Sequence, residues 1–206
     1  MPSIIIGVSG PSGSGKSLFS QKICSNFGVN KEAVIISEDS YYKNNPELSF
    51  EERSIQNYDH PEAFEHDLLI EHIKTLKSDK PIDIPLYDYV SHLRKEETVR
   101  IYPCPVIIIE GILLLSDKKL RDLIDIKIYM DTPLDICLSR RIYRDIIERG
   151  RNINSIITQY NSHTRPMYFK FVEPSRKYSD IIIPKGGKNE IAIDIIQAKL
   201  DKLIRK

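Results

Sequence analysis

The stretch IIIGVSGPSGSGKSLFS, Ile4 to Ser20, decides how this chain is read. Its first six residues form an apolar run of the kind that fills a strand buried on both faces, as parallel strands are. Gly10, Gly15, Lys16 and Ser17 then satisfy the spacing GxxxxGK[ST], with Gly13 as an extra hinge. Strand before and helical pattern after are the context this motif needs. Loop N–H groups converge on phosphates, the lysine adds charge at the β and γ positions, and the serine offers a hydroxyl to Mg²⁺. Gly10, Pro11, Ser12, Gly13, Ser14, Gly15, Lys16 and Ser17 are therefore the expected nucleotide cradle.

The rest of the chain repeats the alternation. Isoleucine-rich runs at Ser3–Ser9, Ala33–Ser37, Val106–Glu110, Ile126–Met130 and Asp180–Ile183 predict strands. Segments with helical spacing at Lys16–Phe27, Ala63–Lys77, Pro133–Arg149, Asn154–Thr164 and Glu190–Ile204 predict helices. The fold expected is α/β: a doubly wound, mostly parallel sheet of the P-loop NTPase type, flanked by helices. Asp59-His60-Pro61 and Asp131-Thr132-Pro133 each pair a capping side chain with a proline suited to a first helical turn. Pro81–Pro103 departs from the alternation, with two extended arms around HLRKEE, and predicts an antiparallel hairpin inserted over the sheet edge. No linker, repeat or low-complexity tract interrupts the chain, so one domain over residues 1–206 is expected.

Composition narrows the function classes. Thirty basic residues against 29 acidic ones leave no bulk field for nucleic acid or a membrane surface, so any basic site is local. The three cysteines, Cys24, Cys104 and Cys137, form no CxxC pair and suggest neither a disulfide framework nor a zinc site. The apolar runs fall far short of a membrane span, and a cytoplasmic location is expected.

Several carboxylates and arginines stand where chemistry needs them. Glu110 ends the apolar strand VIIIEG, where a P-loop protein places an acid that holds magnesium or its water; the alternative is a carboxylate that caps the next turn. Asp39 follows the strand AVIIS, at the sheet edge where open α/β folds bind ligands, and reads either as a base or as an ordinary turn residue. Arg140, Arg141, Arg144 and Arg151 project within an arc of roughly 100° on a helix, with Asp145 and Glu148 as sparse counter-charges. Arg149 and Arg151 flank Gly150, so residues 140–160 read as either a mobile lid or a continuous helix.

Taken in order behind the cradle, EDSYYK, NYDHPEAF, IPLYDYVSHLRKEET, IIIEGILLL, SRRIYRDIIERGR and FVEPSRKYSDIIIP resemble the uridine-cytidine kinase family. The likeness runs from Ile4 to about Gly187, and YDYVSH, RKEET and ERGR are its specific parts. It implies ATP-dependent phosphorylation of uridine or cytidine at the 5′-hydroxyl, with Mg²⁺, and a hairpin covering the nucleoside pocket. By the matching strings it implies Asp39 as base, with Tyr42 beside it, and Asp59 and Arg141 on the ribose. It implies Tyr58, Tyr87, Tyr89 and His92 around the pyrimidine, Arg151 and Gln159 in the nucleoside site, and Lys16, Arg144 and Arg149 on the migrating phosphoryl group. Ser17, Glu110 and Asp39 are its implied metal residues, and a homotetramer its implied assembly. Read singly, Tyr87 and Tyr89 are also an ordinary alternating strand face, and His92 a solvated histidine. A kinase of another small hydroxylated metabolite and a nucleotide switch with no acceptor are the rival readings.

Overall fold

In the computed structural model, which describes residues 3–25, 27 and 32–204, the apolar runs become strands. Strands are β1 (Ile4–Ser9), β2 (Ala33–Ser37), β3 (Ile82–Asp88), β4 (Leu93–Ile101), β5 (Val106–Gly111), β6 (Ile126–Asp131) and β7 (Ile181–Pro184). Helices are α1 (Lys16–Ser25), α2 (Phe50–Ser54), α3 (His66–Lys77), α4 (Lys118–Leu123), α5 (Leu134–Ile147), α6 (Ile153–Gln159), α7 (Arg165–Met167), α8 (Glu173–Ser175) and α9 (Glu190–Ile204). The main sheet has the order β2-β5-β1-β6-β7 with every pairing parallel, while β3 and β4 form a separate antiparallel hairpin.

Burial explains why the strands read as unbroken isoleucine. In β5, Val106 and Ile108 pack with Phe19, Ile23 and Ile196 on one face of the sheet. Ile107 and Ile109 pack with Leu69, Ile73 and Leu120 on the other. All four β5 side chains are fully buried, so neither face tolerates a polar residue, and each such burial contributes roughly 1.5–3 kcal/mol. From β1 the chain crosses to both sides, with β5 on one flank and β6 on the other, which opens a crevice at the C-terminal strand ends.

The helices depart from the sequence expectation at their ends, for local reasons. The expected helix from Ala63 starts at His66, preceded by a short 3₁₀ turn, Pro61–Ala63, capped by His60 rather than Asp59. Asp59 is thereby free for other work. At Asp131-Thr132-Pro133 no side chain caps α5: Thr132 Oγ1 donates to the Ser14 carbonyl at 3.0 Å, and Asp131 pairs with Arg176 at 2.9 Å. α1 ends at Ser25 rather than Phe27, and Asn26 lies outside the described residues. The helix expected to close at Thr164 runs on, through π-helical turns at Tyr160–Thr164 and Tyr168–Val172, as far as Ser175. Pro166 and Pro174 stand just beyond these wider turns, where the hydrogen-bond ladder changes register and a missing N–H costs least.

Two short helices were not expected. Inside 43–57, Ser49 and Glu52 form a reciprocal capping box for α2, and Asp117 caps α4 through the N–H groups of Lys119 and Leu120.

A 3₁₀ turn, Gly186–Lys188, lies directly against the cradle, because a Cβ on Gly187 would stand 2.5 Å from the Gly15 carbonyl oxygen. Gly187→Ala should therefore force the turn off the loop and lower stability by about 1–3 kcal/mol in chemical denaturation. A wild-type midpoint would contradict this packing.

Candidate active site

The loop from Gly10 to Gly15 turns the chain from β1 into α1 through backbone angles that side chains resist. Gly13 has φ +84° and Gly15 φ +95°, and a Cβ at Gly13 would approach the Cys137 carbonyl oxygen to 2.3 Å. Lys16 is buried and its Nζ donates to the carbonyls of Gly10 and Pro11, each at 3.0 Å. Burial lowers its pKa, against the pull of Glu110 and Asp39.

Across the crevice stand the strand-end carboxylates. Glu110 leaves the end of β5 and accepts a hydrogen bond from Ser37 at 2.9 Å. Burial raises its pKa; Lys16 opposes this, Asp39 adds to it, and the Ser37 and Ser17 hydroxyls oppose it. Asp39 sits in the 3₁₀ turn Glu38–Tyr41 that closes β2, and its Oδ2 accepts from the Tyr89 hydroxyl at 3.0 Å.

The hairpin supplies an aromatic wall. Tyr58 and His92 stack with ring centroids 5.0 Å apart and planes 13° from parallel. Tyr42 is buried between Phe64, at 4.4 Å, and Tyr87, at 5.0 Å. His92 adopts φ +57° at the turn of the hairpin. Burial, followed by the arginines Arg151, Arg53 and Arg149, lowers its pKa, so the ring is held neutral at physiological pH. Asp59, buried, accepts from Thr164 Oγ1 at 2.9 Å on one oxygen and faces Arg141 at 4.0 Å with the other.

The arginines are organised differently from the expected helix face. α5 ends at Ile147, Gly150 takes φ +61°, and the chain restarts at Ile153 under an Asn152 cap, so Arg151 is off the helix. It nevertheless reaches the same centre, because Asp145 is far from a sparse counter-charge: it is fully buried and ion-paired with Arg144 at 2.9 Å, Arg151 at 3.5 Å, and Arg141 and Arg149 at 3.7 Å. Gln159 Oε1 ties the group together, accepting from Arg141 at 2.9 Å and Arg151 at 2.6 Å. Arg149 also lies over the Tyr89 ring at 4.0 Å, joining this segment to the hairpin. Arg140 is exposed at the margin, 3.5 Å from the Gly13 carbonyl.

One cleft of about 660 Å³ gathers these groups. Its lining includes Ser12, Gly13, Gly15, Lys16, Ser17, Asp39, Glu110, Asp59, Tyr42, Tyr58, Tyr87, Tyr89, His92, Arg141, Arg144, Arg149, Arg151 and Gln159. Gly10, Pro11 and Ser14 belong to the loop but do not line it. Sequence reasoning missed Thr164, which no spacing rule brings to Asp59; the π turn does. It also missed Arg53, buried and bonded to the carbonyls of Ser91 and Leu48, which anchors the 43–57 loop to the hairpin. The Ser49-x-x-Glu52 signature was the available hint for that loop.

A cradle at the end of β1, an acid at the end of β5 and arginines closing the far side define a kinase of the P-loop class. The model of the phosphoribulokinase / uridine kinase family matches residues 5–192, and the chain belongs to that family. It is 48% identical over 207 residues to a uridine kinase of Shewanella piezotolerans, covering 98% of this chain and 97% of that one. It is 52% identical over 202 residues to a uridine kinase of Cronobacter sakazakii, covering 97% and 95%. The solved phosphoribulokinase from Rhodobacter spheroides shares the fold, with a TM-score of 0.63 at 18% identity over 89% of this chain and 70% of that one.

Removing the charge at the centre of the arginine cluster leaves guanidinium groups to repel one another. Asp145→Asn should lower stability by about 2–4 kcal/mol, short of a fully buried pair because Arg144, Arg149 and Arg151 keep partial contact with water. Chemical denaturation at neutral pH measures it, and a loss below about 0.5 kcal/mol would contradict the role given to Asp145.

Proposed function

We propose that the protein is a uridine/cytidine kinase, transferring the γ-phosphoryl group of ATP to the 5′-hydroxyl of uridine or cytidine to give UMP or CMP. One observation carries the reading: the phosphate cradle, the Asp39 carboxylate and the Asp59–Arg141 pair share a single cleft walled by aromatic rings. A switch without an acceptor has no use for the second half of that cleft. Membership of the phosphoribulokinase / uridine kinase family, and full-length relatives named uridine kinase, support the choice of acceptor.

Each side chain then has a task. Loop N–H groups and Lys16 hold the β- and γ-phosphates, while Arg144 and Arg149 neutralise charge on the migrating group. Asp39 takes the proton of the 5′-hydroxyl, and a carboxylate serves because that proton leaves late. Asp59 accepts from a ribose hydroxyl, its geometry set by Thr164 and Arg141. Tyr42 supports this wall beside Asp39, and Arg151 and Gln159 close the sugar side. Tyr58, Tyr87, Tyr89 and the neutral His92 would flank the pyrimidine.

The donor set also fits Mg²⁺. Ser17, Glu110 and Asp39 all line the phosphate end, and no group of three acidic, histidine or cysteine ligands occurs among the described residues. Two carboxylates and a hydroxyl beside substrate phosphates suit an ion that keeps water and phosphate oxygens as its other ligands. Bound there, it would neutralise charge on the β and γ oxygens. A homo-oligomer, tetrameric by resemblance, and a cytoplasmic location complete the proposal.

A coupled assay of ADP release across ribonucleosides, deoxynucleosides, purine nucleosides, small sugars and a control without acceptor tests this reading. Uridine and cytidine should turn over fastest, with kcat/KM for uridine exceeding that for 2′-deoxyuridine on the order of 10²-fold, because the deoxysugar withdraws one hydroxyl partner from the buried Asp59 and Arg141. ADP release that ignores the acceptor would refute the kinase reading, and equal use of the two nucleosides would refute the ribose contacts.

In the same assay Asp39→Asn should lower kcat by about 10²- to 10⁴-fold while KM for uridine holds. A near wild-type kcat would remove Asp39 as the base.

A further inference from the structure

Behind the cleft lies a polar chain that the proposed mechanism does not use. Glu38 is fully buried, directly before Asp39 in the turn that ends β2. Its Oε2 accepts from the Leu113 N–H at 2.9 Å, and its Oε1 lies 3.0 Å from His66 Nε2. His66 Nδ1 in turn lies 3.4 Å from Asp117 Oδ2, and Asp117 Oδ1 caps α4. Gly111 makes room for this arrangement, since a Cβ there would fall 2.1 Å from Glu38 Oε2. Four segments are thus tied by one polar chain: the exit of β2 with Asp39, the exit of β5 with Glu110 and the start of α3 through Glu38, and the start of α4 through His66 and Asp117. Neither Glu38 nor His66 lines the cleft.

A buried carboxylate is costly unless hydrogen-bonded and paired, so its retention beside two chemically engaged acids needs a reason. The geometry supplies one. Glu38 crosses from β2 to the loop after β5 on the core side, while Asp39 and Glu110 project from the same two strand ends into the cleft. Burial disfavours the imidazolium of His66, yet the hydrogen bond and charge of Glu38, then Asp117, raise its pKa above the ordinary value.

We propose that Glu38 and His66 form a buried strut that fixes the separation of Asp39 and Glu110, acting as positioning residues for phosphoryl transfer without touching substrate. The proposal rests on the kinase reading but not on the identity of the acceptor. Displacing a catalytic group by about 1 Å can cost on the order of 10²-fold in rate, whereas the cradle and ribose contacts, being elsewhere, hold both substrates as before.

The test compares wild type, His66→Asn, Glu38→Gln and the double variant, using the acceptor that wild type turns over fastest in the panel. His66→Asn strands a buried carboxylate, so kcat should fall about 10-fold or more with KM for ATP and acceptor held within about twofold. The double variant leaves two neutral amides and no stranded carboxylate, and should recover kcat to within about threefold of wild type, since exchanging both members of a buried pair is far milder than removing one. Should His66→Asn be insoluble, Glu38→Ala, which leaves His66 its Asp117 partner, must show the same loss of kcat at unchanged KM. A double variant no better than His66→Asn, a loss expressed in KM, or wild-type kcat in the single variants overturns the strut. A panel in which another acceptor beats uridine overturns only the choice of uridine, and the strut is then read with that acceptor. No turnover with any acceptor overturns both.

Discussion

Four guanidinium groups, those of Arg141, Arg144, Arg149 and Arg151, converge on one wall of the cleft because a single buried carboxylate, Asp145, lies at their centre. Charges of one sign repel strongly where water is sparse, so a cationic wall of this kind needs an anion behind it. Asp145 provides that anion from the core side, leaving the outward faces of the arginines available. The break at Gly150 follows from the same demand, since Arg151 reaches Asp145 only if the chain doubles back after α5.

The opposite wall solves the mirror problem. Asp39 and Glu110 place two acids close together at the ends of β2 and β5, with Lys16 beneath them. The three are mutually dependent: burial pushes Glu110 toward its neutral form and Lys16 likewise, while each draws the other back. The sheet order makes this possible. Putting β5 between β1 and β2 brings the cradle lysine, the strand-end glutamate and the acidic turn into register at one edge. The hairpin, which belongs to neither layer, then walls the cleft, linked to the rest through Tyr89 on Asp39 and Arg149 on Tyr89.

Legibility in the sequence tracked how local the cause was. The cradle, the parallel strands and the hairpin could be read because glycine spacing, isoleucine runs and alternating arms act within a few residues. The residues lining the cleft were legible through the family strings, and the cleft does gather them. Helix ends were less so: Asp59 was available as a cap, but His60 took that place and left Asp59 to Thr164 and Arg141. Asp145 was misjudged because helical projection shows which side a residue faces, not that Arg151 returns from beyond the helix to meet it. Thr164 and Arg53 were invisible for a related reason, since a π turn and a buried loop anchor leave no periodic trace.

In the proposed reaction the γ-phosphate held at the cradle and the hydroxyl held at Asp39 face each other across one cleft, with the ribose gripped from behind. The position of the transferred phosphate tests it most directly. Incubation with ATP, Mg²⁺ and uridine, followed by phosphorus NMR of the purified product, should show the phosphoryl group on the 5′ oxygen alone. Phosphate on the 2′ or 3′ oxygen, or inorganic phosphate as the main product, would contradict the account.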